Sequence, residues 1–524
     1  MRFETTIGLI LGMLCAVGFG QQPEALQIGD VIFQTDFEGD NALEGWSGSA
    51  KLEVGFDSDQ AMGIERPTGP ANGAAVAQYV LPVEKVRGCL LHLSGMIKAE
   101  NVSDKPKSWN GIKYMAPTVA PGGRSYPQAQ VGTGTFDWKR FVFPVRVPED
   151  ATDWRLYMGL EAVTGKVWFD DLKVVVRKLP FVPKPRVTDG PPFKGHDLDR
   201  LRGAMISPNI QEESLQLFAE TWNANLARWQ LVGYPSKEGV LDLGHYDAWL
   251  ADQLEKVDAA IPLCEKYGMY LVLDLHSQPA GGKESGANLF SSKACQDKFI
   301  ANWRMMAARY KDCKVIWAYD LVNEPIEHTV AEGLMDWQEL AEATGKAIRE
   351  IDPQTPIIVE PATGGGPWGF VHFNPIDVPR VLYSVHMYLP HAFTHQGVHS
   401  EWTKQLSYPG EIQGQVWDKA RIKLALKPAI DFANNFGVHM YVGEFSAIRW
   451  APDKSAFRYI RDCIEVFEEL GWDWTYHAFR EWTGWSVEHT TDKDNPAAAP
   501  EPTERQKLLM QWLAKNEKPG WAQP

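Results

Sequence analysis

Two glutamates in the second half of the chain stand at the ends of short apolar runs. Glu324 lies in LVNEP (321–325), after the run 314–322, and Glu444 lies in GEF (443–445), at the end of the run 438–445. Two carboxyl groups that face each other can cleave a glycosidic bond, because one donates a proton while the other attacks or activates water. Glu324 and Glu444 are therefore the candidate catalytic pair.

Other polar side chains occupy similar positions. If the apolar runs are parallel strands of one barrel, their carboxyl ends meet at one face, and this face is where barrel enzymes carry their chemistry. The residues at these ends are Arg228, Asp274, His276, Asp320, Asn323, Glu360, His386, Tyr388, Tyr476 and His477.

The elements that position these residues follow one pattern from 196 to 518. Eight short apolar runs alternate with longer amphipathic stretches, such as 247–268 and 453–471. This alternation predicts an α/β fold, a (β/α)8 TIM barrel. A doubly wound open sheet is the alternative, but no glycine-rich phosphate loop follows the first run. The runs are 201–206, 225–232, 269–275, 314–322, 355–360, 380–388, 438–445 and 472–479.

Residues 28–178 have a different pattern, in which apolar and polar residues alternate over short runs separated by turn residues. Period-2 alternation of this kind predicts an antiparallel β-sandwich. Residues 179–195 contain five prolines, and proline fixes φ and removes a backbone donor, so we expect a semi-rigid linker between the two domains.

The N-terminus has the features of a signal peptide. Arg2 precedes an apolar run, and Gly18 and Gly20 indicate cleavage before Gln21. We therefore expect residues 1–20 to be removed and the protein to be secreted or periplasmic. The five cysteines that follow are odd in number and widely spaced, and they indicate neither a disulfide framework nor a cysteine metal site.

Composition excludes several classes of partner. The 524 residues carry 52 Lys plus Arg and 67 Asp plus Glu, a net charge of −15. This balance argues against nucleic acid, because affinity for phosphate backbones comes from clustered Lys and Arg. Beyond the N-terminus, no apolar stretch is long enough to span a bilayer. The 21 tryptophans are typical of a protein that binds sugars or has large buried cores. We expect a monomer.

Five motifs, in order, resemble glycoside hydrolase family 5, the cellulase family: WNANLARW (222–229), DLHS (274–277), LVNEP (321–325), VHMY (385–388) and GEF (443–445). The resemblance covers about residues 198–485. It implies a retaining mechanism with Glu324 as acid/base and Glu444 as nucleophile. It also implies that Asn323 binds the sugar 2-hydroxyl, that Arg228 and Tyr388 orient Glu444, and that His276 and His386 line the cleaved subsite.

The physical chemistry of the residues agrees with these roles. Arg228 is a permanent planar cation that can keep the Glu444 carboxylate ionised and aimed. Glu324 must start protonated and, after glycosyl transfer, act as a base. Because one carboxyl must be protonated and the other ionised, we expect a bell-shaped pH profile.

Several of the other residues have a structural alternative. We expect Asp320 to be a carboxylate of the barrel interior, and Glu360 to be a supporting acid or a subsite ligand. The histidines could bind a metal instead, but no HExxH motif and no tight His/Asp cluster occurs, so we expect no catalytic metal.

Tryptophans after the strands are candidates for sugar stacking. The family usually places a Trp at strand 8, where this chain reads WTYHAFREWTGW (474–485); Trp482 is our choice, Trp485 the alternative, and Phe479 occupies the earlier register. Several tryptophans at the rim would favour endo attack on a polymer, although exo action stays open. The loop candidates are Trp368, Trp402 and Trp450.

The N-terminal sandwich resembles jelly-roll carbohydrate-binding modules in FQTDFEGDNALEGWSGS (33–49) and GKVWFDDLKVV (165–175). Such modules often hold a structural calcium between acidic residues, and the candidates here are Asp36, Glu38 and Asp171. Candidate sugar-stacking residues are Trp109, Tyr114 and Tyr126. A purely structural sandwich is the alternative.

We expect a hydrolase of β-1,4-linked polysaccharide, with cellulose-like glucan first and mannan or xyloglucan next. A non-catalytic carbohydrate-binding protein and a transglycosylase on the same scaffold remain alternatives.

Overall fold

The computed structural model describes residues 25–522 except 70, 71, 399 and 401, and it does not describe the side chain of Glu284. The chain divides into two compact units, Met1–Phe181 and Val182–Pro524. The predicted signal peptide, residues 1–20, lies outside the described residues.

The first unit is built from strands that pair antiparallel in two layers, which confirms the predicted sandwich. Jelly-roll connectivity stays a prediction. The strands are β1 Val31–Thr35, β2 Trp46–Gly48, β3 Lys51–Glu53, β4 Ala61–Arg66, β5 Ala74–Val80, β6 Leu90–Val102, β7 Gly111–Met115, β8 Thr118–Ala120, β9 Gly123–Ser125, β10 Gly134–Arg146, β11 Asp153–Glu161 and β12 Gly165–Lys178, with helix α1 at Val83–Val86. One layer has the order β10-β6-β12-β4-β3 with β1 on β12, and the other has the order β2-β5-β11-β8-β9 with β7 on β11.

The core of the sandwich lies between the two layers. Alternate residues of each strand point inward, so that side chains such as Leu91, Leu93 and Trp154 are fully buried. Tyr114 is among them: its ring lies 5.0 Å from that of Phe143 and is 1% exposed. The prediction that Tyr114 stacks on sugar is therefore wrong, because its position in β7 faces the core.

The second unit is a closed barrel of eight parallel strands, which confirms the predicted fold class and excludes the open sheet. Each of the eight apolar runs contains one strand. In barrel order they are β13 Arg202–Ile206, β14 Leu226–Gln230, β15 Tyr270–Asp274, β16 Ile316–Asp320, β17 Ile357–Val359, β18 Val381–Met387, β21 Met440–Phe445 and β22 Asp473–Phe479. Strands β19 Gly410–Ile412 and β20 Gln415–Trp417 form a separate hairpin.

Helices surround the barrel. The long ones are amphipathic and bury one face: in α9, for example, Tyr459, Ile460, Cys463 and Phe467 are fully buried. The helices of this unit are α2 Glu212–Gln216, α3 Leu243–Tyr267, α4 Lys293–Tyr310, α5 Trp337–Arg349, α6 His391–Thr394, α7 Lys419–Ala425, α8 Lys427–Phe436, α9 Ser455–Leu470 and α10 Glu504–Leu513. Within the described residues, no helix is long and apolar enough to cross a membrane.

The proline-rich segment, residues 179–195, has an irregular backbone, and much of it is bonded to the second unit. The backbone N–H of Lys184 donates to Asn374 Oδ1 (2.8 Å), and that of Val187 donates to the carbonyl of Phe436 (2.9 Å). Trp317 Nε1 donates to the carbonyl of Lys194 (3.0 Å). Residues from Lys184 onward are therefore held by the barrel.

A buried carboxylate closes the amino-terminal end of the barrel. Asp473, the first residue of β22, lies 3.0 Å from His196 Nε2 and 2.6 Å from His439 Nε2. Its other oxygen accepts the backbone N–H of Leu201 (2.8 Å). One side chain therefore joins the residues before the first barrel strand to the last two strands.

The cysteines of the described part, Cys89, Cys264, Cys295, Cys313 and Cys463, are free.

Candidate active site

The predicted site residues meet at the carboxyl ends of the barrel strands. Seven of the eight, Arg228, His276, Asn323, Glu324, His386, Tyr388 and Glu444, form one continuous network of contacts. They come from β14, β15, β16, β18 and β21 or from the residues that directly follow these strands. The eighth, Trp482, lies at the rim. Strands that are distant in sequence therefore bring these groups together because the barrel is parallel and closed.

Arg228 is the centre of this network. Its guanidinium is completely buried and lies 2.6 Å from Glu444, 2.9 Å from Asp320, 3.1 Å from Glu360 and 3.3 Å from Asp274. Burial alone would lower the pKa of Arg228, but these four carboxylates raise it well above its ordinary value. Arg228 is therefore a fixed cation that organises the acidic groups around it.

Glu444 is held as a carboxylate. Its Oε1 accepts from Arg228, and its Oε2 accepts from the hydroxyl of Tyr388 (2.8 Å). Burial alone would raise the pKa of Glu444, but His477, His386 and Arg228 lower it well below its ordinary value. An anion fixed by two donors in a nearly closed site can act as a nucleophile.

Glu324 has a different environment. Its carboxyl oxygen Oε1 lies 2.9 Å from His386 Nδ1, and its side chain is 37% exposed against 4% for Glu444. One carboxyl oxygen from each glutamate and one nitrogen of His386 all lie within 4.8 Å of one another. A carboxyl that is open to solvent and faces a buried carboxylate can exchange protons with a bound molecule.

The backbone at Glu324 is strained. Its φ is +46°, in the left-handed region that a residue with a side chain rarely adopts. Glu360 Oε2 accepts the backbone N–H of Glu324 (2.9 Å) and so holds this conformation. Glu360 is therefore a supporting acid, as one of its two predicted roles requires.

A glycine allows the loop after β17 to approach Glu360 and His386. A Cβ atom on Gly365, whose φ is +66°, would lie 2.7 Å from Glu360 Oε2 and 3.0 Å from the ring of His386. The carbonyl of Gly365 accepts the backbone N–H of His386 (2.8 Å). Any larger residue would displace these two side chains.

His386 lies between the two glutamates. Its Nε2 is 3.1 Å from Glu360, and its Nδ1 is 3.9 Å from Glu444. Burial alone would lower the pKa of His386, but Glu360, Glu444 and Glu324 raise it well above its ordinary value. His386 therefore adds a second positive charge to the acidic cluster.

His276 and Asn323 form a separate branch. His276 Nδ1 lies 2.9 Å from Asp274 Oδ2, so it donates to this carboxylate, and its Nε2 accepts from Asn323 Nδ2 (3.3 Å). Asn323 Oδ1 accepts from Arg228 (3.2 Å). The amide of Asn323 is thus oriented from both sides.

Asp320 lies in the barrel interior, where the sequence predicts it. Burial, together with the nearby Glu360 and Asp274, raises the pKa of Asp320 well above its ordinary value although Arg228 lowers it. Asp320 is completely buried beneath the guanidinium. Its place is structural, because it supports Arg228 from below the site.

The rim tryptophans differ in exposure. Trp482 is 40% exposed, whereas Trp485 is 7% exposed and packs on Tyr388 at 5.8 Å. Trp368 is 67% exposed, and Trp402 and Trp450 are partly buried. Phe479 is buried against Phe218. Trp482 and Trp368 are therefore the exposed tryptophans among these, and the assignment of the strand-8 platform to Trp482 stays a prediction.

Two residues that contact the site had no predicted role. His477 Nδ1 lies 3.0 Å from Glu444 Oε2, and its Nε2 lies 2.8 Å from Glu481 Oε2. The sequence indicates only that His477 is near a strand end; Glu481 follows in a non-helical segment, so the spacing of four residues does not predict their contact.

Two groups of side chains in the described part of the chain are close enough to hold a metal ion: Glu324–His386–Glu444 and His196–His439–Asp473. Hydrogen bonds join His196 and His439 to Asp473 and join His386 to Glu324, whereas His386 lies 3.9 Å from Glu444. Asp36 and Glu38 accept backbone N–H groups of Glu38 (3.1 Å) and Gln60 (2.7 Å). A calcium at Asp36, Glu38 and Asp171 stays a prediction.

A parallel (β/α)8 barrel with two neighbouring carboxyl groups at its carboxyl-terminal face has the arrangement of a glycoside hydrolase. The family model for Cellulase (glycosyl hydrolase family 5) matches residues 189–488. The chain belongs to glycosyl hydrolase family 5, as the five motifs indicate.

Several named proteins are similar to this chain. Endoglucanase C of Acetivibrio thermocellus is 29% identical over 272 residues, 46% of this chain and 77% of that protein. Cellodextrinase A of Ruminococcus flavefaciens is 28% identical over 251 residues, 45% of this chain and 70% of that protein. Among solved structures, endoglucanase Cel5A from Thermotoga maritima is 22% identical, with a TM-score of 0.47 over 62% of this chain and 100% of that chain.

Proposed function

We propose that the second unit is a retaining endo-hydrolase of β-1,4-linked glucan, with Glu324 as acid/base and Glu444 as nucleophile. The observation that carries this proposal is the separation of the two carboxyl groups, whose nearest oxygens lie within 4.8 Å. Retaining glycosidases have carboxyl groups about 5 to 5.5 Å apart, whereas inverting enzymes need about 6.5 to 9.5 Å to admit a water.

In the first step, Glu324 donates its proton to the glycosidic oxygen while Glu444 forms a bond to the anomeric carbon, and the leaving sugar departs as an alcohol. In the second step, Glu324 takes a proton from a water that attacks the anomeric carbon, and the ester bond to Glu444 breaks. Arg228 and Tyr388 hold Glu444 in line for attack. His386 contacts Glu324 and lies beside Glu444, so it lines the cleaved subsite.

The substrate is proposed from the residues around Asn323. Its amide is oriented toward a fixed position between Arg228 and His276, where it can bond the 2-hydroxyl of a sugar. The similar proteins named Endoglucanase C and Cellodextrinase A favour a glucan. Mannan, whose sugar differs in the orientation of this hydroxyl, and xyloglucan are the next candidates. The exposed Trp482 and Trp368 favour an open cleft and endo attack.

The test uses Glu324→Gln and Glu444→Gln on a soluble β-1,4-glucan and on an aryl β-cellobioside. Each variant should lose at least about 10³-fold in kcat/KM, because a proton donor or a nucleophile is missing. Glu332→Gln, an exposed glutamate in the loop after the same strand as Glu324, is the matched control and should keep full activity.

The stereochemistry is read by NMR of the first product, which should be the β-anomer. The α-anomer would exclude the retaining mechanism. If the wild-type protein releases no sugar from glucan, mannan or xyloglucan, the non-catalytic binding alternative holds. If the products are longer oligosaccharides and no new reducing ends form, the enzyme is a transglycosylase.

We propose a second function for the first unit, the binding of a neutral glycan chain. The sheet that contains β5, β7, β8 and β11 carries a groove of about 760 Å³. Trp109 and Tyr126 line it and are 57% and 59% exposed, so their rings can stack on sugar faces. A volume of this size is typical of ligand sites.

The polar groups of the groove are oriented by one buried lysine. Lys113 Nζ lies 2.7 Å from Glu161 and donates to Gln128 Oε1 (3.2 Å) and to the carbonyl of Trp109 (2.5 Å). The carboxylate of Glu161 neutralises the charge of Lys113, and the three contacts hold Glu161, Gln128 and Trp109 in position. A fixed set of amide and carboxylate groups between two aromatic rings suits the hydroxyl groups of a sugar chain.

The groove is tested by calorimetric titration of cello-oligosaccharide into the Glu444→Gln protein, which does not consume the ligand. We expect two sites, one of which is lost in Trp109→Ala/Tyr126→Ala. Trp138→Ala, which removes a partly buried tryptophan of β10 outside the groove, should keep both sites. A single site in the Glu444→Gln protein that survives the groove substitutions would favour a purely structural sandwich.

A further inference from the structure

We propose that His477, backed by Glu481, is a positioning residue that acts as a permanent imidazolium against Glu444 and fixes the pH below which the enzyme loses activity. The proposal rests on the assignment of Glu444 as nucleophile. It begins from the position of His477 in β22, where its side chain lies between two carboxylates and one phenol.

The partners of His477 determine its protonation. Nε2 lies 2.8 Å from Glu481 Oε2, and a carboxylate only accepts, so Nε2 must carry a proton. Nδ1 lies 3.0 Å from Glu444 Oε2 and 2.5 Å from the hydroxyl oxygen of Tyr388. The hydroxyl of Tyr388 also lies 2.8 Å from Glu444 Oε2, and its single proton can bridge only one of these two contacts, so the contact between Nδ1 and Glu444 Oε2 requires a proton on Nδ1. Both ring nitrogens must therefore carry protons, which makes the ring a cation.

The surroundings of the ring agree with a cation. Burial alone would lower the pKa of His477, but Glu444 and Glu481 raise it to about 10. Trp485 covers one side, with its ring centroid 5.9 Å from that of His477 and its plane tilted by 35°. An aromatic face at this distance stabilises a positive charge.

The charged and titratable groups around this pair come from five elements. Glu444 on β21, Tyr388 after β18 and Glu481 after β22 contact His477 directly. Arg228 on β14 contacts Glu444, and His386 on β18 lies 3.9 Å from it. Glu324, after β16, reaches this group through His386. Arg228 therefore contacts Glu444 at Oε1 and His477 contacts it at Oε2, while His386 lies 3.9 Å from Oε2.

This arrangement has a consequence for each half of the reaction. In the resting enzyme, the imidazolium keeps Glu444 ionised and shares Oε2 with Tyr388, so the carboxylate cannot rotate. When Glu444 becomes an ester, its negative charge disappears, and Glu481 remains as the counter-charge of His477. Glu481 thus lets the cation stay in place through both steps.

The first test measures protonation without turnover. In the full-length protein labelled with ¹⁵N-histidine, the two side-chain nitrogens of His477 are assigned by their loss in His477→Gln. We expect both nitrogens to carry protons at pH 8. In Glu481→Gln, we expect the ring of His477 to lose one proton at a lower pH than in the wild-type protein. A neutral ring at pH 8 in the wild-type protein would overturn the proposal, whatever the activity of the enzyme.

The second test is the pH dependence of hydrolysis of an aryl β-cellobioside. Since Glu444 must be ionised to attack, the acidic limb of kcat/KM follows its pKa, which a lost cation raises. His477→Gln should therefore move this limb upward by about one pH unit and lower kcat while KM stays within about twofold. Glu481→Gln should move it in the same direction by less.

The control is His489→Gln, which removes a histidine bonded to Ser486 and to the carbonyl of Pro496. It should leave both limbs unchanged. A His477→Gln protein with reduced kcat and an unmoved acidic limb would assign His477 a merely structural role and end the proposal. A wild-type protein without hydrolytic activity would instead contradict the proposed function, and the protonation of His477 would still be decided by NMR.

Discussion

Asp473 accepts hydrogen bonds from three donors at the amino-terminal end of the barrel, and its negative charge contributes to the stability of the fold. Burial alone would raise its pKa, but His439 and His196 lower the pKa of Asp473 far below its ordinary value. A carboxyl whose pKa is lower in the folded state stabilises the protein above its unfolded pKa, near 3.9, and loses this effect as the pH falls toward the folded pKa. The contribution is therefore complete at neutral pH.

Asp473→Asn should reduce the free energy of unfolding by about 1 to 3 kcal/mol at pH 7, since one charged acceptor of two imidazoles is lost. The difference from wild type should shrink as the pH falls from 5 to 3. Urea unfolding at several pH values measures it, with Asp494→Asn, at an exposed site, as the control. A difference that stays the same at pH 3 would mean that altered packing, and not charge, causes the loss.

At the residue scale, the sequence predicts most of the candidate site. Seven residues found at strand ends meet in one network, because a parallel barrel leaves little freedom in where its strand ends lie. His477 and Glu481 could not be paired in this way, because their contact depends on the path of the loop after β22. The burial of Tyr114 could not be predicted from the sequence either. Its segment is rich in turn residues, but β7 pairs with β11 and directs this ring inward.

At the element scale, helix α5 shows how a short signal in the sequence fixes a helix start next to the site. Asp336 Oδ1 accepts the N–H of Glu339 (3.1 Å), and Glu339 Oε2 accepts the N–H of Asp336 (2.9 Å), which is a capping box. The first helical residue, Trp337, donates its ring N–H to the carbonyl of Glu360 (2.6 Å). The cap therefore also anchors the end of β17.

Asp336→Ala should lower the free energy of unfolding by about 1 kcal/mol, because two N–H groups at the start of α5 lose their acceptors or their geometry. Asp336→Ser, which can still cap, should lose less than half as much. Equal losses in the two variants would mean that the cap hydrogen bond contributes nothing. Both are measured by urea unfolding at pH 7.

The barrel strands were predictable because they are buried on both faces and read as apolar runs. Strand ends were less so: β17 has three residues, Ile357–Val359, within a predicted run of six. The hairpin of β19 and β20 was not predicted. Its two-residue turn consists of Gln413 and Gly414, whose φ angles are +52° and +75°. A turn of this kind is predicted clearly from sequence only when Asn or Asp precedes the glycine.

At the scale of the whole molecule, the hydrophobic pattern predicted two domains but not their surfaces. Residues 28–178 have the pattern of strands alone, and residues 196–518 have the pattern of strands that alternate with helices. The structure divides the chain between Phe181 and Val182. Most tryptophans are core residues: Trp154, Trp303, Trp317, Trp337 and Trp474 are among the largest fully buried side chains. The exposed ones, Trp109, Trp368 and Trp482, could not be distinguished from them by sequence.

The bonds of the proline-rich segment bear on how this enzyme can be recombined with other modules. Similarity to the family begins at residue 189, yet Asn374 already bonds the carbonyl of Val182 (2.9 Å) and the N–H of Lys184, and Arg186 donates to the carbonyl of Asn434 (2.6 Å). If modules were exchanged with the junction at residue 189, residues 182–188 would be removed. The groups of the barrel that bond this segment would then be exposed to water. The transferable piece of this hydrolase therefore starts at Val182, seven residues before its family resemblance does.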